Sequence, residues 1–323
     1  MRILKPIAYY QTLHGVIANG LARQTVHPFY ASFKLTSRCH FGCPFCNVKQ
    51  NPTPDLSTET IKKILNNLSR SSVLMTSFEG GEPLLRSDIG ELLRYARKHC
   101  NFYLLFTTSV KNIFDYPIAE FAPLIDFLHV SIDEGHNNLE LFDLLPRLTK
   151  LPTHVSVQTV VTRSTIKALE PKVAACCDAG ANIVVIPAAH MDNTPDFFPD
   201  LSELEQLMTT LRKKYPRTIH TPRGYFDAFK KGRCSTASII IAPDGRLYYP
   251  CHIKGSYGPD LAQTNLVPWL NEAEASQLRR EMKTCKRNCG WYQYYSIDSY
   301  TSITSIADAI APLLPKLRRP KER

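Results

Sequence analysis

Apolar residues fall along this chain in two alternating patterns, short β-like runs and longer stretches with a helical repeat. The β-like runs cover 32–36, 73–78, 102–107, 126–132, 154–161 and 182–187, with helix-like stretches at 57–68, 88–98, 138–149 and 166–179. Counted together, the strand–helix units number six and predict an α/β fold on a parallel sheet. In the fourth run Leu128, Val130 and Ile132 share one face, and His129, Ser131 and Asp133 the other. The apolar face suits outer helices, whereas a polar face turned inward requires partners or a ligand.

The pattern changes after a proline-rich break at 187–199 and one more helix-like stretch at 202–214. Residues 238–249 predict a β-hairpin around Pro243-Asp244-Gly245. Both ends of the chain are amphipathic. Ile3, Ile7, Tyr10, Leu13, Ile17 and Leu21 recur at helical spacing near the start; Ile303, Ile306, Ile310, Leu313, Leu314 and Leu317 do so before a basic tail at 316–323. Four units follow: an amphipathic lead-in at 1–30, a β/α barrel at 31–215, a smaller module at 216–300 and an amphipathic basic tail at 301–323.

Candidate chemistry sits at the strand ends. Cys39, Cys43 and Cys46 follow the first strand in a C-x3-C-x2-C spacing, which lets three thiolates converge on one face of a metal cluster. That is the end of the strand where β/α barrels gather their active sites. A closed zinc site or a fully ligated cluster would need a fourth ligand nearby; a structural zinc knuckle or a buried thiol cluster is the plainer alternative for the loop alone. The second strand ends in Glu79-Gly80-Gly81-Glu82-Pro83. Adjacent glycines let backbone approach a ligand closely, and the following glutamate suits an ammonium group.

Together these segments resemble the radical S-adenosylmethionine (radical SAM) enzymes, with Phe45 as the aromatic residue before the last cysteine of the signature. The resemblance implies a partial (β/α)6 TIM-like barrel. It implies a [4Fe-4S] cluster on Cys39, Cys43 and Cys46 whose fourth iron binds SAM, and reductive cleavage of SAM to a 5′-deoxyadenosyl radical. SAM contacts are implied at Gly80, Gly81, Glu82 and Pro83, at Thr107, Thr108 and Ser109 ending the third strand, and at Ser131 and Asp133. Gln158 and Thr162 are weaker candidates that serve equally well as polar caps.

Further along, Cys234 and Cys251 flank the hairpin, and Cys285 and Cys289 stand close together after a helix-like stretch. Four cysteines make a complete ligand set. They resemble the shortened auxiliary-cluster ("twitch", a trimmed SPASM) module of some radical SAM enzymes, which implies a small α+β hairpin module with one second [4Fe-4S] cluster; zinc is the alternative.

Composition narrows the setting. Seven of the ten cysteines belong to these two sets, and no signal-peptide pattern precedes them, which fits a reducing cytoplasm rather than a disulfide-linked secreted protein. Cys100, Cys176 and Cys177 are left as buried or idle thiols. No apolar run reaches the ~18 residues of a transmembrane helix. The formal charge of +10 and the amphipathic ends point to peripheral contact with an anionic membrane, set against helices that simply pack on the barrel. No aromatic-plus-basic motif supports nucleic acid as a partner.

Within the resemblance, peptide maturases often carry a leader-recognition domain, for which the 38 residues before Cys39 are too few. Molybdenum-cofactor cyclases end in a diglycine, and this chain ends Lys321-Glu322-Arg323. Leu84-Leu85 and the late Cys289-Gly290-Trp291-Tyr292 are similar to adenosylhopane synthases and related lipid enzymes. The expectation is therefore modification of an unactivated C–H or C=C bond in a membrane lipid or isoprenoid, with a flavodoxin or ferredoxin-type reductant. A maturase or dehydrogenase of a peptide or soluble small molecule is the alternative enzyme. An iron-sulfur electron carrier or zinc-binding interaction protein is the non-enzymatic one.

Overall fold

The computed structural model describes residues 2–299, apart from 47, 49–51, 190–194 and 256; the amphipathic tail expected at 301–323 lies outside the described residues. The chain runs α1 (Pro6–Ala22), β1 (Tyr30–Lys34), α2 (Thr58–Ser69), β2 (Met75–Glu79), α3 (Ile89–His99) and β3 (Tyr103–Thr108). Next come α4 (Ile118–Phe121), β4 (Phe127–Ser131), α5 (Leu145–Leu148), β5 (His154–Val161), α6 (Leu169–Ala179), β6 (Asn182–Pro187), α7 (Leu201–Lys214) and α8 (Gly224–Lys230). It closes with β7 (Ser238–Ile241), β8 (Arg246–Tyr248), β9 (Tyr257–Asp260), α9 (Leu266–Leu270), α10 (Ala273–Lys283) and α11 (Tyr292–Ser299).

Strands β1 to β6 pair in parallel, each with the next, as the strand–helix alternation predicts. Helices coat the outer face. Helix α2 shows why: Ser57 caps it by accepting from the Thr60 N–H at 3.2 Å, and Ile61, Ile64, Leu65 and Leu68 form one buried stripe. On β4 Leu128 and Val130, and Ile132 just after it, are wholly buried against this outer layer, while His129 and Ser131 turn into the lumen.

Two differences from the sequence pattern have local causes. Residues 138–149 form a 3-10 turn, Leu139–Leu144, before the short α5, because Pro146 supplies no N–H to continue an α-helix. The hairpin forms around Gly245, at φ 85°, but β7 also pairs in parallel with β1. The hairpin and a third strand, β9, therefore extend the barrel sheet in the order β6-β5-β4-β3-β2-β1-β7-β8-β9.

The floor of the barrel is covered by α1. The Arg2 backbone N–H donates to Asp126 ahead of β4 at 3.0 Å, and the Tyr9 and Tyr103 hydroxyls meet at 2.8 Å at the start of β3. Among the described residues no helix is long and apolar enough to cross a membrane.

Candidate active site

The loop after β1 carries Cys39, Cys43 and Cys46 at the C-terminal mouth of the barrel, where Cys46 N–H donates to the Cys43 carbonyl at 3.1 Å. Burial, with Cys46, Asp133 and Cys39 behind it, pushes the Cys43 thiol up to about 12. A thiol so placed ionises only when a cation compensates it, which is what a metal centre supplies.

Gly80 and Gly81 pack against that same loop. The Gly81 N–H donates to the Thr36 carbonyl at 2.7 Å, and the Glu82 N–H to the Arg38 carbonyl at 2.8 Å. A side chain at Gly80 would stand 2.6 Å from the Thr36 carbonyl oxygen, and one at Gly81 would collide with the Arg38 carbonyl. Bare glycine is thus required by the loop as well as by any ligand.

Glu82 is fully buried, and its own oxygens are engaged. Oε1 accepts from the Leu84 N–H at 3.1 Å and the Thr108 hydroxyl at 2.9 Å; Oε2 accepts from the Ser109 N–H at 3.0 Å and its hydroxyl at 3.5 Å. Burial raises its carboxyl above the ordinary range despite these donors. Pro83, also buried, starts the turn that follows. Thr107 lies on the lumen side, its hydroxyl 3.4 Å from Ser77.

Asp133 is equally engaged. Its carboxylate accepts from the His136 N–H at 3.0 Å, the His136 ring at 2.8 Å and the Val160 N–H at 3.0 Å. Burial pushes this carboxyl up, but His136 and Val160 outweigh it and hold it below the usual range. The Ser131 carbonyl accepts from the Asn138 amide at 2.8 Å. Thr162 belongs to its own turn, its hydroxyl 3.1 Å from those of Ser164 and Thr165.

Below the mouth lies a cavity of about 500 Å3 that occupies the lumen. Phe45 forms part of its roof, packed against Gly135 and 5.7 Å from the His136 ring. Its wall is mostly apolar, from Leu105, Val160, Val184, Ile186 and Ile240. A polar strip faces them: Lys34 and Glu79 are opposite in register, and Gln158 meets the His129 ring at 2.7 Å. Burial, then His220 and His154, drive His129 down to about 3, so it is neutral near pH 7. Burial also lowers Lys34 and raises Glu79.

Several lumen residues were not legible as site residues. Glu79, Lys34, His136 and Gly135 acquire meaning only once the strands are in register. Glu79 alone carried a signal, as the carboxylate directly before the glycine pair.

The four later cysteines do come together. Cys234, Cys251, Cys285 and Cys289 line one small cavity of about 20 Å3 with Met282 and Tyr294. Burial, then the other three thiols, pushes Cys234 up to about 12. Among the described residues no three Cys, His, Asp or Glu side chains are drawn together tightly enough for a single ion. Cys289 is two residues from Trp291, which lines the lumen and meets the His252 ring at a tilt with centroids 4.1 Å apart.

A parallel barrel with a three-cysteine loop at its mouth defines a class, and comparison with known proteins gives its family. The chain belongs to the radical SAM superfamily, whose family model matches residues 33–233. That membership supports the pair of cofactors expected from the sequence, SAM and a [4Fe-4S] cluster, over the electron-carrier and zinc-protein alternatives. The chain is 29% identical over 213 residues to the mycofactocin maturase MftC of Mycolicibacterium smegmatis, a stretch covering 59% of this chain and 54% of that protein. It is 37% identical over 89 residues to the PqqA peptide cyclase of Rhodopseudomonas palustris, covering 26% of this chain and 23% of the cyclase. The chain thus spans about half the length of the maturase and less of the cyclase. In fold it is similar to Streptococcus suis SuiB bound to its precursor peptide SuiA, with a TM-score of 0.64 and 13% identity over 91% of this chain and 76% of that one.

Proposed function

We propose that this protein modifies an unactivated C–H bond of a peptide, holding the residue to be modified in the apolar lumen beneath the Cys39, Cys43 and Cys46 loop. When bound, the cluster and SAM supply a 5′-deoxyadenosyl radical. The observation that carries the reading is the continuity of the lumen with the underside of that loop, through Phe45. A group entering from the mouth is shielded from water by Leu105, Val184 and Ile186, and the polar strip of His129 and Gln158 orients it.

On this reading SAM lies along Gly80, Gly81 and Pro83 and the ends of β3 and β4 at Thr107, Ser109 and Ser131. Glu82 and Asp133 act through the turns they fasten, because their oxygens already serve Ser109, Thr108, His136 and Val160. Cys234, Cys251, Cys285 and Cys289 hold the second [4Fe-4S] cluster. The four thiols around one small cavity supply a complete ligand set, and the likeness to cluster-bearing relatives supports iron-sulfur there, with zinc as the alternative. A flavodoxin or ferredoxin-type protein is the reductant.

The substrate class departs from the lipid expected from the sequence. The relatives are a maturase and a peptide cyclase, and SuiB is seen with a precursor peptide. An isoprenoid remains a second reading because the lumen wall is apolar. The test is 5′-deoxyadenosine release by anaerobically reconstituted enzyme, given either a peptide fraction or a lipid extract of the same cells. Stimulation by peptides alone is expected. Stimulation by lipids alone transfers the assignment to the isoprenoid.

A further inference from the structure

Helix α1 is built inside out. Its polar side chains face the protein: Gln11 donates to the Arg70 carbonyl at 3.3 Å, and Thr12 lies 3.5 Å from the Ser72 carbonyl. The Asn19 amide donates to the His27 carbonyl at 2.9 Å, and its oxygen accepts from the Val26 and His27 N–H groups. What this face buries is small, Ala8 and Gly15, and the Gly15 backbone sits directly on His27, Phe29 and Ser72.

The apolar residues point the other way. Ile3 is 92% exposed and Leu21 82%, and Ile7, Tyr10, Leu13 and Ile17 between them are all more than half exposed. They follow one another at helical spacing, so they form a continuous stripe along the helix. Of the two expectations raised by this stripe, packing on the barrel does not fit its exposure, which leaves contact with a membrane. Tyr9 and Val16 beside the stripe are exposed too, and away from this segment the exposed large apolar side chains among the described residues stand singly, at Leu139 and Tyr257. A stripe of this length on one element marks a surface that is covered in use.

Charge says what covers it. No aspartate or glutamate occurs before Asp55, and exposed Lys5 and Arg23 mark the two ends of the stripe. Lys283 adds a third cation there, its ammonium donating to the Arg23 carbonyl at 2.6 Å. A second copy docked antiparallel would set Lys5 against Arg23, like charge on like. The chain's own tail at 316–323 is basic as well, so its charge does not complement Lys5 and Arg23 either. An anionic bilayer meets both demands, taking the apolar stripe into its interface and the flanking cations among its headgroups.

We propose that α1 docks the enzyme on anionic phospholipid. Because the polar face of α1 is fastened to the floor of the barrel, the bilayer lies under the floor and the cysteine mouth faces away from it. Docking is then independent of what the lumen holds, and of whether that is a peptide.

The test is co-sedimentation of the full-length, reconstituted enzyme with vesicles of phosphatidylcholine alone or with added phosphatidylglycerol. Binding is expected on the anionic vesicles and to fade with salt. The double variant Leu13→Glu/Ile17→Glu is expected to bind them roughly tenfold more weakly or worse, with an unchanged thermal midpoint and unchanged vesicle-free 5′-deoxyadenosine release. Should that variant fail to fold, Ile7→Ser/Leu21→Ser gives the same reading with a milder change. Failure of the wild type to bind either vesicle overturns the proposal. So does unimpaired binding by both variants, which would place the contact elsewhere in the chain, or a lipid-free dimer that the variants dissolve.

Discussion

The Ser109 N–H donates to the Glu82 carboxylate at 3.0 Å, which ties the glycine-rich turn after β2 to the end of β3. Removing that acceptor leaves buried donors on Leu84, Thr108 and Ser109 unsatisfied. Glu82→Ala should therefore lower stability by about 3 kcal/mol, in addition to abolishing SAM cleavage. Urea unfolding of the apoprotein checks the first effect and 5′-deoxyadenosine release the second. An alanine variant as stable as the wild type would show that the tie is not made in solution.

The two cysteine sets should be separable. Replacing Cys39, Cys43 and Cys46 with alanine should abolish SAM cleavage and lower bound iron by roughly half, since on the proposed assignment each site would hold one four-iron cluster. Replacing Cys234, Cys251, Cys285 and Cys289 should lower iron to a similar extent while leaving substrate-free SAM cleavage measurable. Iron and sulfide analysis beside a cleavage assay reads both. Zinc in the second site would appear as an iron content that the later substitutions do not change.

Strands and outer helices were legible because burial on one face leaves a period in the sequence, as with Leu128, Val130 and Ile132. The cysteine loop was legible because its ligands are contiguous. Lumen residues were not: Lys34 and Glu79 become neighbours through the register of β1 and β2, which local pattern does not encode. The pairing of β7 with β1 was hidden likewise, since 238–241 reads as half of a hairpin whichever partner it takes on its other edge. In α1 the apolar period was legible and its direction was left open between barrel and membrane, because spacing identifies a stripe without saying which way it faces.

Gly135 has a neighbour that explains it, the Phe45 ring, which occupies the space a side chain there would need. Gly135→Ala should displace Phe45 from the roof of the lumen, at roughly 1–3 kcal/mol of strain. SAM affinity should fall while the iron content stays unchanged. Equilibrium binding of SAM to the reconstituted variant measures this, and wild-type affinity would mean that the ring moves aside without consequence.

Asp133 predicts a pH dependence. Its folded-state pKa lies below the unfolded one, so the contribution from its hydrogen bonds to His136 and Val160 is complete above the unfolded value, about 3.9, and is lost as pH falls through the folded value. Asp133→Asn should remove that acid limb from the stability curve and lower stability near neutral pH. Thermal midpoints of the two proteins should converge as the pH is lowered. Parallel curves would mean that His136 and Val160 do not hold the carboxylate.

The lumen wall offers the sharpest separation of substrate handling from SAM chemistry. Val184 lines the cavity from β6, well away from the cysteine loop on β1, and its neighbours Ile186 and Val160 leave it no polar role. Val184→Phe fills space that the substrate's apolar group is to occupy, without touching Glu82, Asp133 or any cysteine. Overpacking of about 1–3 kcal/mol against the bound group corresponds to a loss in product-forming kcat/KM of roughly five- to 150-fold. Substrate-free SAM cleavage should be preserved, so the ratio of 5′-deoxyadenosine to product should rise. Equal losses in both would instead place the SAM adenosine, and not the substrate, against β6.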